Sequence, residues 1–299
     1  MKRFWMITVV CCLMLAGCSD AAPVAESSQP TEIIVSDVAD LPAEPALFPI
    51  EICGTEIAAE AKRVVSLSPA VTEIIAELGY TDRLCGISSY CDYPELTVQA
   101  VGSPENPDVE VITALKPDVL FTISDISERD IYAIEECGTA VVELEAPSSL
   151  ESYGKLYSDI AAAFVGDDAA KTIGEEAALT LNSAANTVNL TSFVYVTGKM
   201  TAAGKGTFED ALLSVCCENV CTSEGYAQLS EITDAAPEYI IASDELTYED
   251  VAYDDTLSVF IYNGAQVVFV SASGFERPSA RTCEIFAQIG EQLLGYAAE

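Results

Sequence analysis

The pattern of apolar and polar residues changes at Ser68. Before it, RVVSLS (residues 63–68) is mostly apolar, as in a buried strand, and after it PAVTEIIAELG (residues 69–79) has apolar residues at helical spacing. Ser68 stands at the N-cap position, Pro69 in the first helical turn and Gly79 at the end, which are the residue types that start and stop helices. A strand that runs directly into a helix predicts the start of an α/β domain.

Strand and helix patterns go on alternating in both halves of the chain. In the first half they are CGISSY, PDVEVITALKPD, DVLFTI, SERDIYAIEECG and AVVELE, and in the second half SFVYVTG, TFEDALLSVCC, PEYIIAS, QVVFVSA and ARTCEIFAQIGEQLLGY. Residues 147–190, between the halves, are rich in Ala, Leu, Glu and Lys and predict a long connecting helix, with a break or bend near Gly166.

These patterns predict an α/β fold of two lobes joined by a single long backbone helix. The N-terminal lobe covers residues 49–146, the connecting helix residues 147–190 and the C-terminal lobe residues 191–299. Ligands of open α/β sheets bind at the carboxyl ends of the strands. The ligand cleft is therefore expected between the two lobes.

The N-terminus has the features of an export signal. Lys2 and Arg3 precede FWMITVVCCLMLAG, which is too short to span a bilayer comfortably. The run ends in Leu-Ala-Gly-Cys, which resembles the bacterial lipoprotein signal. We therefore expect a signal peptide at residues 1–17, lipidation of Cys18, and a solvated spacer at residues 18–48. The protein would then be exported and lipid-anchored on the outer side of the cytoplasmic membrane, in the periplasm or at the cell surface.

Charge and composition narrow the classes of function. The chain has 299 residues and a formal charge of −35, from 48 acidic and 13 basic residues. Such a charge repels nucleic acid, so we expect no nucleic-acid partner. The chain has no histidine, the commonest general base and transition-metal ligand. No combination of nucleophile and base is evident either, so an exported enzyme is a remote alternative and the protein is expected not to be one.

Cysteines are unusually frequent for a chain of this length. Those after Cys18 are Cys53, Cys85, Cys91, Cys137, Cys216, Cys217, Cys221 and Cys283. Export permits disulfides, but spacing does not determine a pairing, and all of these residues could also remain free thiols. The cluster at residues 216–221 lacks histidine and a second compact pair of cysteines, so no metal site and no cofactor are predicted.

The quoted segments carry a resemblance to a known family. RVVSLSPAVTEIIAELG, ALKPDVLF, GTFEDALLSVCCENV and YAQLSEI are similar to segments of the substrate-binding proteins of bacterial ABC importers for iron chelates and cobalamin. The similarity covers about residues 49–295. SSYCDYP (residues 88–94) and GFERPSAR (residues 274–281) resemble the cobalamin-binding members most. The resemblance implies an extracytoplasmic lipoprotein that binds cobalamin or a related corrinoid as cargo. A ferric siderophore or haem is the alternative cargo.

The resemblance also implies a set of ligand-binding residues. Tyr90 would lay its ring against a flat ligand, while Phe275 and Arg277 would contact it from the opposite lobe. At the start of the first helix, Ser68, Pro69 and Ala70 would offer free backbone N–H groups. Two alternatives stay open: Tyr90 only fixes its own loop, or Arg277 forms an internal salt bridge.

Two departures from the cobalamin-binding pattern affect the cargo assignment. Trp5, the only tryptophan, leaves with the signal, and Ser273 and Gly274 precede Phe275 where the cobalamin-binding protein has an acid and a tryptophan. The cleft is therefore expected to be more open or adapted to another corrinoid.

The resemblance finally implies how the cargo is delivered. Members of the family dock on their permease through one glutamate on each lobe, and the matching residues are Glu110 and Glu231. The expected partners are thus the ABC permease with its ATPase subunit, and the protein is expected to act as a monomer.

Overall fold

A parallel sheet forms the centre of the N-terminal lobe. The computed structural model describes residues 47–93, 97–188, 190–275 and 277–297. The elements of this lobe are β1 (Ile50–Ile52), β2 (Thr55–Ile57), β3 (Val64–Ser66), α1 (Pro69–Glu77), β4 (Leu84–Ile87), β5 (Gln99–Ala100), β6 (Gly102–Ser103), β7 (Asn106–Pro107), α2 (Val109–Leu115), β8 (Val119–Thr122), α3 (Glu128–Glu135) and β9 (Ala140–Glu143). The strand order in the five-stranded sheet is β5-β4-β3-β8-β9, and each neighbouring pair is parallel.

β3 and α1, the strand and helix at the start of the predicted α/β domain, have the predicted form. Every residue of β3 and β8 is buried, which explains why their sequences are mostly apolar on both faces. α1 begins with Pro69 directly after the extended Ser68, and Gly79 follows its end with a φ of +83°. The chain leaves β3 for β4 on one side and returns to β8 on the other. The carboxyl ends of β3 and β8 therefore flank a topological switch point, where ligands of such sheets bind.

The connecting region consists of two helices, α4 (Leu150–Val165) and α5 (Asp167–Ala185). They separate at Gly166, which has a φ of +78° and lies where the sequence indicated a break. α4 packs against α1 and β1 of the N-terminal lobe, and α5 packs against the last helix of the C-terminal lobe. The two helices also contact each other in antiparallel fashion. The lobes are therefore joined through a helical hairpin in which α5 is the longest helix among the described residues.

The C-terminal lobe has a mixed sheet. Its elements are β10 (Ser192–Val196), β11 (Thr201–Ala203), α6 (Phe208–Leu213), β12 (Glu218–Asn219), β13 (Tyr226–Gln228), β14 (Tyr239–Ser243), α7 (Tyr248–Tyr253), α8 (Leu257–Tyr262), β15 (Gln266–Val270), α9 (Ala272–Phe275) and α10 (Arg281–Ala297). β10, β14 and β15 are parallel. Beyond β10, β11 is antiparallel to β10, and β13 is antiparallel to β11. β12 pairs in parallel with the first residues of β10.

One apolar core extends through both lobes and the connecting hairpin. It includes Ile74 of the N-terminal lobe, Ile160 and Leu181 of the hairpin, and Phe193 and Phe286 of the C-terminal lobe. Residues 45–299 accordingly form one compact unit. No described helix is both long and apolar enough to cross a membrane.

Some sequence predictions differ from the structure or lie beyond it. The helix predicted over TFEDALLSVCC ends at Leu213, before the two cysteines. The predicted signal peptide, Cys18 and most of the spacer lie outside the described residues. The sheets lie within the predicted lobes, but the exact lobe boundaries stay a prediction.

Candidate functional site

A cleft between the lobes is the candidate site. It has a volume of about 920 Å³, near the upper end of the range for small-molecule sites. The lining residues are Ser68, Pro69, Ala70, Ile123, Ser124, Ala146, Pro147 and Ser148 on the side of the N-terminal lobe, and Thr197, Gly198, Lys199, Thr201, Gly206, Thr207, Phe208, Glu209, Gly225, Tyr226, Gln228, Glu245, Arg277 and Pro278 on the side of the C-terminal lobe. Both lobes thus contribute to the cleft, through loops and through residues of α1, α6, β11 and β13, as the fold predicts.

The N-terminal wall is formed at the switch point of the parallel sheet. Ser68, Pro69 and Ala70, from the start of α1, lie in it beside Ile123 and Ser124, which follow β8. The Ser68 side chain makes no capping hydrogen bond, so α1 begins without a side-chain acceptor for its first N–H groups. Free N–H groups at a helix N-terminus attract oxygen acceptors and negative charge.

A buried carboxylate, Glu209, forms part of the opposite wall. It lies in the first turn of α6 and is only 2% exposed. The Tyr226 hydroxyl donates to both of its carboxylate oxygens, at 2.9 and 3.1 Å. Burial raises the pKa of Glu209 although the hydrogen bond from Tyr226 favours the charged form. This pair was not predicted, because the two residues belong to different elements and no local pattern in the sequence links them.

Lys199 and Glu245 add charge to the same wall. Lys199 follows β10 and Glu245 follows β14, so both come from the carboxyl ends of parallel strands. The Glu245 carboxylate approaches Gly198 so closely that a Cβ there would overlap it. A side chain at this position would therefore require the end of the Glu245 side chain to move.

Arg277 lies in the cleft wall and is also paired with acids of the other lobe. Its Nη1 is 2.5 Å from Asp92 Oδ1 and 3.9 Å from Glu73 Oε1. Arg277 thus lies in the cleft wall and also forms the internal salt bridge that was the alternative for this residue. A ligand that contacts Arg277 would share it with Asp92.

Two other predicted ligand-binding residues are placed differently. Tyr90 is 55% exposed, donates from its hydroxyl to Glu105 Oε2 at 3.3 Å, and is not among the residues that line the cleft. Its contact with a ligand stays a prediction. Phe275 ends α9, and its side chain lies outside the described part of the structure.

The two predicted docking residues are exposed, one on each lobe. Glu110 lies in the first turn of α2, and Glu231 ends the short 3₁₀ turn Leu229–Glu231. The Glu231 side chain accepts a hydrogen bond from the Gln228 N–H at 3.3 Å. Both carboxylates are therefore available at the surface, although the docking itself stays a prediction.

The cysteines of the described region are free thiols. Cys216 Sγ and Cys217 Sγ lie 3.7 Å apart, and both thiols approach the Leu213 carbonyl at the end of α6. Among the described residues, no group of three or more Cys, Asp or Glu side chains is arranged to hold a metal ion.

Comparison with known proteins identifies the family. Residues 64–261 match the family described as periplasmic binding protein. An uncharacterized ABC transporter substrate-binding lipoprotein, YvrC of Bacillus subtilis, is 28% identical over 160 residues, which are 52% of this chain and 48% of that protein. The chain thus matches about half of the length of this relative. A cobalamin-binding protein of Halobacterium salinarum is 26% identical over 256 residues, which are 77% of this chain and 69% of that protein.

Solved structures show the same fold. The periplasmic vitamin B12 binding protein BtuF of Vibrio cholerae matches with a TM-score of 0.62 and 19% identity, over 80% of this chain and 99% of that chain. The periplasmic heme binding protein HutB of Vibrio cholerae matches with a TM-score of 0.65 and 17% identity, over 77% of this chain and 98% of that chain.

The chain belongs to the periplasmic binding protein family. This family comprises the extracytoplasmic substrate-binding proteins of ABC importers, which bind their ligands without transforming them. The prediction of a binding protein rather than an enzyme is confirmed by this assignment. The predicted α/β fold with two lobes is confirmed as well.

Proposed function

We propose that the protein is an exported lipoprotein that binds cobalamin or a related corrinoid in the cleft and delivers it to an ABC permease. The observation that carries the proposal is the 920 Å³ cleft formed by both lobes. Its size suits a large, flat cargo, and the cobalamin-binding relative is similar over 77% of this chain. Cys18 would hold the protein at the membrane, and Glu110 and Glu231 would dock it as a monomer on the permease, whose ATPase subunit supplies the energy.

The lining of the cleft favours a neutral, amide-bearing ligand. Most of its polar side chains are neutral, namely those of Ser68, Ser124, Ser148, Thr197, Thr201, Thr207, Tyr226 and Gln228. The cationic groups are Lys199 and Arg277, but Arg277 is already paired with Asp92, and Glu209 and Glu245 add negative charge. A highly anionic ferric catecholate would meet carboxylates without enough free cations to balance them. The amide substituents of a corrin ring can instead exchange hydrogen bonds with hydroxyl groups.

A single observation favours haem as the second candidate. Tyr226 lines the cleft, is 56% exposed, and has a carboxylate beside its hydroxyl. Tyrosine is an established axial ligand of haem iron, and the adjacent Glu209 could accept the phenol proton.

A binding titration tests the choice of cargo. The soluble form that begins after Cys18 is titrated with cyanocobalamin, cobinamide, haem and a ferric catecholate, followed by calorimetry and visible absorbance. We expect one-to-one binding of a corrinoid, and Tyr90→Ala should weaken it about tenfold through the loss of ring contact. Tyr132→Ala is the matched control, because Tyr132 is also an exposed tyrosine of this lobe that donates to a glutamate.

Other outcomes of the titration have distinct meanings. If haem binds tightly, and the spectrum of bound haem changes in Tyr226→Phe, the cargo is haem and not a corrinoid. Equal losses of corrinoid affinity in Tyr90→Ala and Tyr132→Ala would show that Tyr90 does not contact the ligand. Binding of none of the four compounds would refute the proposed cargo.

A further inference from the structure

Glu73 is a buried carboxylate of the N-terminal lobe whose charged and hydrogen-bonding partners come from the C-terminal lobe. It lies in the middle of α1 and is 0% exposed. Ser279 Oγ donates to Glu73 Oε2 at 2.6 Å, and Arg281 Nη2 lies 3.3 Å from Glu73 Oε1. Oε1 has no hydrogen-bond partner, so it depends on the arginines for compensation. A buried charge is tolerated in proteins only with such compensation.

Further contacts fix the same C-terminal-lobe segment, residues 277–281. Glu77, one turn along α1, accepts a hydrogen bond from the Ala280 N–H at 2.8 Å and one from the Tyr157 hydroxyl at 2.5 Å. The Tyr153 hydroxyl donates to the Ser279 carbonyl oxygen at 3.0 Å. The segment is therefore held by α1 and α4 through its backbone as well as its side chains.

A loop of the N-terminal lobe contacts both arginines of the segment. Asp92 pairs with Arg277, as described above, and the Arg281 guanidinium lies 5.4 Å from the centre of the Tyr93 ring. This distance is within the range of a cation–π interaction. We call this set of residues the interlobe cluster; it consists of Glu73, Glu77, Asp92, Arg277, Ser279 and Arg281.

The position of Arg277 in the cleft wall thus depends on residues of the opposite lobe. Glu73 itself does not line the cleft, whereas Arg277 and Pro278 do. Residues 279–281, which follow directly, are fixed on α1 by Glu73 and Glu77. A change at Glu73 would therefore displace the cleft wall without removing any group from the cleft.

We propose that Glu73 is a positioning residue: through the interlobe cluster it holds segment 277–281 on α1, sets the place of Arg277 in the cleft, and keeps the two lobes at a fixed separation. The part that concerns the cargo rests on the proposed function. The part that concerns the lobes does not, and it is testable without any ligand.

Hydrogen exchange of the ligand-free protein tests the contact between the lobes. The Ala280 N–H donates to Glu77 in the interlobe cluster, so its exchange rate reports directly on opening. Glu73→Gln keeps the size of the side chain and an acceptor for Ser279 but removes the charge that attracts the arginines. We expect amide exchange in residues 279–282 to be at least about tenfold faster than in the wild type. Glu128→Gln, an exposed glutamate of α3, should leave it unchanged.

A second variant covers the case in which Glu73→Gln does not fold. Asp92→Asn removes an exposed partner of Arg277 and leaves the core intact. It should also speed amide exchange in residues 279–282, by a smaller factor. Unchanged exchange in the folded variants of both residues would overturn the proposal. Faster exchange throughout the chain would do so too, because it would show a loss of global stability instead of opening between the lobes.

A double-mutant cycle on cargo affinity tests whether Glu73 acts through Arg277. If it does, Glu73→Gln combined with Arg277→Ala should weaken binding no more than Arg277→Ala alone. Additive losses would overturn the positioning role. If no cargo from the titration binds, the proposed function fails, while the exchange measurement still decides whether the interlobe cluster holds the lobes.

Discussion

At the scale of single residues, Glu209 is a group in the cleft whose environment changes its protonation. The carboxyl is buried beside Tyr226, and burial raises its pKa above the ordinary value of 4.5. The folded protein therefore holds this proton more tightly than the unfolded chain does. Stability from this group is highest below pH 4.5 and falls as the pH rises through the raised pKa.

Replacing Glu209 should remove this pH dependence. In Glu209→Gln the side chain keeps an acceptor for Tyr226 and has no proton to lose. As the pH rises from about 4.5 to about 7.5, the free energy of unfolding of the wild type should fall relative to that of the variant. Urea denaturation at both pH values measures the difference, and Glu249→Gln, on the surface of α7, corrects for the loss of one charge. If the wild type instead becomes more stable relative to the variant as the pH rises, the assigned direction of the pKa shift is refuted.

At the scale of elements, the sequence predicts structure where the signal is local. β3 and α1 follow from an apolar run, a proline and a glycine within one short segment, and the structure confirms both. Packing between elements leaves no such signal. The pairing of Glu209 with Tyr226 and of Arg277 with Asp92 depends on residues far apart in the chain. The break at Gly166 was visible in the sequence, but the antiparallel packing of α4 on α5 was not.

That packing depends on two small residues. The helices cross where Gly154 faces Gly174, and a Cβ at Gly154 would lie 2.6 Å from the Gly174 carbonyl oxygen and 3.1 Å from Ala178 Cβ. Real Cβ atoms do not approach a carbonyl oxygen this closely, so an alanine would force α4 and α5 apart. The close approach of the helices therefore explains both glycines, which otherwise weaken a helix.

Gly154→Ala should accordingly destabilise the protein although alanine is the better helix former. We expect the free energy of unfolding to fall by about 1–3 kcal/mol, the usual effect of overpacking. Gly290→Ala in α10 is the matched control, because no atom lies within 4 Å of a Cβ there. It should stabilise the protein by up to about 1 kcal/mol. Urea denaturation of both variants measures the effects, and equal stabilisation by both would show that the helices tolerate the extra methyl group.

At the scale of the whole molecule, two features oppose separation of the lobes. The apolar core continues from one lobe through the hairpin into the other, and the interlobe cluster adds charged contacts at the edge of the cleft. Opening would expose apolar area and leave Glu73 without its arginines. We therefore expect only a small hinge motion when a cargo binds or leaves. In such a molecule the distance between surface groups on the two lobes is nearly constant.

A nearly constant distance allows one carboxylate on each lobe to define how the protein docks. Glu110 and Glu231 are exposed, one on each lobe, so two separate arginine pockets of a permease could bind them together only in one orientation. We expect Glu110→Ala combined with Glu231→Ala to reduce cargo uptake by at least about tenfold while the affinity for cargo stays unchanged. The measurements are uptake in cells and titration of the purified variant.

The control for this prediction removes the same charge at other places. Glu128 and Glu249 are exposed glutamates in the first turns of α3 and α7, again one on each lobe. Glu128→Ala combined with Glu249→Ala should leave uptake close to the wild-type level, because a general loss of negative charge does not disturb specific docking. Equal losses of uptake in both double variants would mean that the permease responds to overall charge. Unchanged uptake in the first double variant would show that docking uses other residues.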